Sequence, residues 1–150
     1  MKKIKFIQIQ YLSYREKKGL MINLDYQVVI IKGPNGAGKS SLIKSLYYSL
    51  GAEIEVWPQR WLDANIIYLL KFKIDGITYQ SLRIGNEIII YNCDGSFRFR
   101  SKNLLEISDK LNDLLGIEFQ MLDNENKMRI IPLGLLFAPF YIDQDRGWNS

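Results

Sequence analysis

Eight consecutive residues, Gly33-Pro34-Asn35-Gly36-Ala37-Gly38-Lys39-Ser40, limit what this chain can fold into more than any other stretch. They fit the phosphate-loop pattern of glycine, four residues, glycine, lysine, then serine or threonine. Glycine lets the backbone enter left-handed conformations and crowd close to a ligand, so that successive amide N–H groups turn toward phosphate oxygens. The pattern requires a strand before the loop and a helix after it, whose N-terminus adds the positive end of a dipole. Lys39 is then placed to reach the β and γ phosphates of ATP, and the Ser40 hydroxyl to ligate Mg²⁺. Ser41 continues the same nucleotide-binding run.

Both flanks satisfy the requirement. Val28, Val29, Ile30 and Ile31 form a short β-branched block typical of a buried central strand, ended sharply by Gly33, Pro34 and Asn35. After Lys39, Leu42, Ile43, Leu46, Tyr47 and Leu50 recur at helical spacing, and Gly51 stands where a helix C-terminal glycine belongs. Upstream, Ile4, Phe6, Ile7 and Ile9 among polar neighbours suit a half-buried strand, Lys17, Lys18 and Gly19 a turn, and Leu20 to Leu24 a second strand. From Asn65 to Arg100 the period becomes two, with Ile66, Tyr68, Leu70, Phe72 and Ile74 on one face. The pairs Asp75-Gly76, Gly85-Asn86 and Asp94-Gly95 mark its turns, which describes an antiparallel meander. A helix is expected from Lys102 to Leu115, capped by Ser101 and stopped by Gly116, with Leu104, Ile107, Leu111 and Leu114 on one stripe. Phe119 to Lys127 reads as polar loop, and the apolar run Ile130 to Ile142, broken by two prolines, as strand or loop.

Composition excludes several chemistries. With no histidine and a single cysteine among 150 residues, the chain cannot assemble a Ser-His-Asp triad, a Cys-His pair or a conventional zinc site. Cys93 reads as a small buried or semi-buried residue without a role. No stretch reaches the roughly 20 apolar residues of a membrane span, and Lys5, Gln8 and Gln10 interrupt the only candidate signal core, so a cytoplasmic protein is expected.

The wording GPNGAGKSS, opened by a short β-hairpin near the N-terminus, resembles the ATPase heads of the SMC, SbcC and RecF group, which are ABC-type ATPases. The meander with Phe72, Asp75-Gly76, Tyr79 and Arg83, followed by LNDLLGI at Leu111 to Ile117, is similar to the wing and helix those heads insert after the phosphate loop. The resemblance implies an α/β P-loop NTPase, lobe I of an ABC-type head with an antiparallel β meander. It implies ATP and Mg²⁺ as ligands, bound by Gly33, Pro34, Asn35, Gly36, Ala37, Gly38, Lys39, Ser40 and Ser41. In YIDQD, Gln144 matches the glutamine that contacts Mg²⁺ and the attacking water in that family. An amide offers a carbonyl to the metal and an N–H to the water. Arg15, after the first strand, matches a region where related heads place polar residues near the phosphates. The ending Asp-Gln-Asp-Arg-Gly-Trp resembles that of SMC-like ATPases of bacterial anti-phage systems such as Lamassu.

The family's signature motif and its Walker B Asp-Glu pair have no counterpart here; Phe140-Tyr141-Ile142-Asp143 comes nearest, but Pro139 and Gln144 argue against it. The expectation is therefore a single N-terminal lobe over residues 1–150, completed by a second lobe or subunit, dimeric in the full-length context and weakly hydrolytic alone. Strand edges left open by that incompleteness are expected to make the isolated chain marginally stable or prone to associate.

Net charge of +4 permits DNA as a partner, and two rows carry it: Lys71 with Lys73, and Arg98 with Arg100 and Lys102 on one strand parity. A solvated sheet face accounts for such rows equally. Trp57, Trp61 and Trp148 could stack bases, but without an aromatic ladder they read as packing residues. A non-catalytic nucleotide-binding or partner-docking module is the alternative function. A small P-loop kinase fits less well, because it requires a central parallel sheet and a lid with arginines.

Overall fold

A computed structural model describes residues 2–54, 56–116, 120–122, 126–130 and 137. The elements run β1 (Ile4–Ser13), β2 (Lys18–Asn23), α1 (Lys39–Tyr48), α2 (Gln59–Asp63), β3 (Ile66–Ile74), β4 (Ile77–Ile84), β5 (Glu87–Asn92), β6 (Phe97–Ser101), α3 (Leu104–Leu115), β7 (Gln120–Leu122) and β8 (Met128–Ile130). Strands β1 to β6 form one antiparallel sheet in the order β2-β1-β3-β4-β5-β6, and β7 pairs with β8 separately. The first strand is thus flanked by its hairpin partner and by β3, with pairs from Ile4↔Ile74 to Ser13↔Ile66.

The period-two pattern read from the meander is the one that folds. Tyr68, Leu70, Phe72 and Ile74 of β3 point to one face, where Ile9 and Tyr11 of β1, Tyr79 of β4, and Ile88 and Ile90 of β5 join them, all buried. Asp75 and Gly76 take φ of 47° and 86°, the left-handed pair whose twist matches the flanking strands. Helix α1 lays Leu46, the turn after it Leu50, and α3 Ile107, Leu111, Leu114 and Leu115, into the same core. Among the described residues no helix is long and apolar enough to cross a membrane.

A stripe of serines rather than leucines brings α1 onto the sheet. Ser41 and Ser45 are buried in α1, and Ser49, which follows it, is buried too. The Tyr11 and Ser45 hydroxyls bond at 2.8 Å, and Ser81 of β4 donates to the Ser49 carbonyl. Burial pushes the Tyr11 phenol up to about 12, against the opposing pull of the Ser45 bond. Small side chains allow close approach, and the hydroxyls of Ser45, Ser49 and Ser81 find partners, as burial of a polar group demands.

Several expectations are corrected. Residues 28–31 form no strand; Val28 is 76% and Ile30 73% exposed. A β-branched run becomes a central strand only where neighbours complete its hydrogen bonds, and no described strand lies beside it. The cap of α3 is Asn103, whose side chain accepts from the Leu105 N–H at 2.9 Å, while Ser101 lies outside the helix, accepting from the Asn103 N–H and bonding Glu106. Asn103→Ala is accordingly expected to cost about 1 kcal/mol in urea unfolding, and Ser101→Ala clearly less. The reverse ranking would show that the cap is misassigned. The expected polar loop over 119–127 contains β7, and β2 starts at Lys18 rather than Leu20. Cys93 is exposed, because it stands in the β5–β6 turn.

The row Arg98, Arg100, Lys102 does not form either. A register shift between Ile90 and Tyr91 makes Arg98 the additional residue of a bulge. Its guanidinium lies over the Tyr79 ring at 5.6 Å, Arg100 stands opposite Ile89, and Lys102 falls beyond the strand. Lys71 and Lys73 do share a face, which Lys5 joins opposite Lys73, though Lys5 is itself paired with Asp25 at 2.6 Å. The apolar run Ile130 to Ile142 is described only at Ile130 and Phe137, the latter buried against Tyr47 with ring centroids 5.3 Å apart.

Candidate functional site at the phosphate loop

The loop runs from Gly33 into α1, whose first residue is Lys39. Gly36 and Gly38 take φ of 78° and 87°, which L side chains rarely adopt. Gly33 is not left-handed. Its need is space, since a Cβ there would lie 3.3 Å from the Ala37 Cβ. The Ala37 N–H donates to the Pro34 carbonyl at 3.2 Å, and the Leu42 N–H to Gly38 at 2.9 Å, so the turn passes directly into the helix. No side chain caps that helix, and Gly38 occupies its N-cap position. The orphan N–H groups of the first turn thus sit at the loop, where an anion is the natural partner.

Lys39 folds back over the loop, its Nζ donating to the Gly33 carbonyl at 2.9 Å and to Pro34 at 2.8 Å. Both bonds are exposed, so the ammonium can exchange them for phosphate oxygens. Ser40 is half-buried and Ser41 buried.

These residues open on one cavity of about 910 Å³. Asn35 to Ser41 line it on one side; Tyr11, Ser13, Glu16, Lys18 and Leu20 come from the β1–β2 hairpin, and Arg60, Trp61 and Ile66 from α2 and the start of β3. Ser13, at the end of β1, donates to the Ala64 carbonyl and accepts from the Glu16 N–H, which joins the hairpin to the end of α2. Arg15 lies beside this junction but does not line the cavity; its Nη1 donates to the Asp63 carbonyl at 2.9 Å. The arginine that does line it is Arg60. Gln144 lies outside the described residues, as do Asp143 and Trp148.

Sequence reasoning missed α2, which is only five residues long and starts after Pro58. Its one signal was Pro58 itself, a residue tolerated at helix starts. Through α2 the site gains Arg60 and Trp61. The indole of Trp61 reaches 3.7 Å from where a Cβ on Gly38 would stand. An aromatic cluster continues from it: Trp57 stacks on Trp61 at 5.6 Å, and Tyr48 meets both Trp57 and Tyr68 edge-on at 5.3 Å.

At the far end of α1, buried Arg83 of β4 donates from Nη1 to the Tyr48 carbonyl and from Nε to Gly85 at 3.1 Å. Its guanidinium lies 3.3 Å from the Tyr48 ring centroid. Burial pulls this guanidinium below the ordinary arginine value, and Tyr48 opposes the shift. The cation thus sits on the negative end of the helix that begins at the phosphate loop.

The loop of Gly33 to Ser40 at the N-terminus of α1 fits a P-loop NTPase, and the chain belongs to the AAA domain family, whose model matches residues 8–130. Among curated proteins it is similar to the Lamassu protein LmuB of Bacillus cereus (strain VD014), 35% identical over 137 residues that cover 90% of this chain and 24% of that protein. A second Lamassu protein LmuB, of Bacillus sp. (strain NCIM 5461 / CCTCC AB 2011126 / NIO-1130), is 28% identical over 149 residues, covering 96% and 25%. The chain spans about a quarter of the length of these curated relatives. Together the family match and the relatives support the resemblance to SMC-like ATPases.

Proposed function

We propose that residues 1–150 are the N-terminal lobe of an SMC-like, ABC-type ATPase head that binds ATP with Mg²⁺ and serves anti-phage defence by acting on DNA. The observation that supports this most is the convergence of Gly36, Gly38, Lys39 and Ser40 at the uncapped start of α1, facing one cavity. The defence role rests on the relatives, both called Lamassu proteins.

The donor set suits the nucleotide and its metal. Mg²⁺ prefers one or two protein oxygens together with phosphate oxygens, and Ser40 would supply the protein oxygen beside the loop. Bound there, the ion would neutralise charge that develops on the phosphates. The loop amides and Lys39 would hold the β and γ phosphates, Arg60 would face them from α2, and Gln144 would orient water. Phosphoryl transfer also needs groups that activate that water, which in this reading come from a second lobe or subunit. The exposed run 28–31 agrees with such a partner, since strands laid beside it would bury Val28 and Ile30. Docking without turnover is the alternative that these 150 residues alone would show.

Titration of the purified chain with ATP tests the reading. Binding is expected to be several-fold tighter with Mg²⁺ than with EDTA. Ser40→Ala should remove that difference while keeping the metal-free affinity, and turnover by the chain alone should be slight. No binding would refute the assignment, and robust Lys39-dependent turnover would point to a complete active site of kinase type.

A further inference from the structure

The cavity has two chemically different walls. One is the phosphate loop with Lys39 and Ser40; the other mixes the polar and charged Ser13, Glu16, Lys18 and Arg60 with the apolar and aromatic Tyr11, Leu20, Pro58, Trp61 and Ile66. Phosphates account for the first wall, and for the cations of the second, but not for its aromatic and apolar groups.

Trp61 is the largest group on that second wall, and its orientation is fixed from three sides. Trp57 stacks on it at 5.6 Å with an interplanar angle of 18°. Tyr11 meets it edge-on at 5.9 Å and 89°, and is itself held by the Ser45 hydroxyl at 2.8 Å. Its Nε1 and Cζ2 lie against Gly38. Trp61 lines the cavity and Trp57 does not, so Trp61 is the member of the stacked pair that a ligand in the cavity would meet. Trp61 packs against the core yet is only half-buried, so part of the ring is left to the cavity, whereas Tyr68 beside it is 6% exposed.

We propose that Trp61 is the platform on which the base of a purine nucleotide stacks, with Trp57 holding the ring from behind and Gly38 setting its distance from the phosphate site. Stacking on an aromatic face tolerates any base but favours a bicyclic one, which overlaps the indole most fully. The proposal rests on the nucleotide reading above and adds what gives the site affinity beyond the phosphates.

Two ligands separate the two ideas: ATP, and inorganic tripolyphosphate, which carries the phosphates without a base. By titration with Mg²⁺ present, the wild-type chain is expected to bind ATP on the order of tenfold more tightly than tripolyphosphate. Its indole fluorescence should be quenched by ATP and not by tripolyphosphate. Trp61→Ala should lower ATP affinity by a similar factor and leave tripolyphosphate unchanged, with Trp61→Phe between them. Equal losses for both ligands would mean that Trp61 only supports the loop, and an unchanged ATP affinity would mean that the base lies elsewhere; either overturns the platform while the phosphate site stands. A chain that binds neither ligand overturns both. The wild-type comparison and Trp61→Phe decide the matter even if Trp61→Ala fails to fold.

Discussion

Lys39→Ala is expected to weaken Mg-ATP binding about 100-fold while leaving the fold in place. In the proposed complex the ammonium would make charge-assisted bonds to two phosphates, each contributing about 1.5 kcal/mol or more, and every 1.4 kcal/mol is tenfold in affinity. Without ligand the same group bonds only the exposed carbonyls of Gly33 and Pro34, so its removal should change thermal stability little. Calorimetric titration beside a melting curve checks both halves. A variant that melts early would show that Lys39 holds the loop together, and one that binds ATP normally would dissociate this loop from nucleotide binding altogether.

The second large effect lies at the other end of the same helix. Arg83→Met is expected to destabilise the chain by about 3 kcal/mol in urea unfolding. The substitution keeps much of the apolar bulk but removes the charged donor from the carbonyls of Tyr48 and Gly85, leaving them the Gly51 N–H and the Tyr48 hydroxyl, and it removes the cation from the Tyr48 ring. Arg83→Lys should recover only part, since an ammonium lacks the planar fork that reaches two carbonyls and lies flat on a ring. A loss below about 1 kcal/mol for Arg83→Met would mean that water or the Gly51 N–H, already bonded to the Tyr48 carbonyl at 3.0 Å, suffices to satisfy that end.

What the sequence disclosed depended on how local each signal was. Loop, following helix, Gly51 stop and meander turns were legible because glycine positions and periodicity are set within a few residues of each other. Residues 28–31 misled because a β-branched run states only a preference for pairing, and none of the described strands pairs with it. The bulge that separates Arg98 from Arg100 is a property of two strands together, so parity counted along one strand could not show it. The serines that dock α1 carry no hydrophobic signal, and Arg83, charged, reads as surface until its carbonyl partners are seen. At the site, Lys39 and Ser40 were legible from spacing, whereas Arg60 and Trp61 enter through a helix too short to have a period.

The pairing of β1 with β3 also sets when a site can exist. The turns of the meander close over short distances and on microsecond timescales, whereas Ser13 must find Ile66, and Ile4 must find Ile74, across the entire phosphate loop and α1. Tyr11 and Ser13 wall the cavity on one side of that seam, Ala64 and Ile66 on the other. A ribosome therefore releases the hairpin wall first, the phosphate loop next and the wall of Pro58 to Ile66 last, and the cavity is complete only with the long-range closure of the sheet.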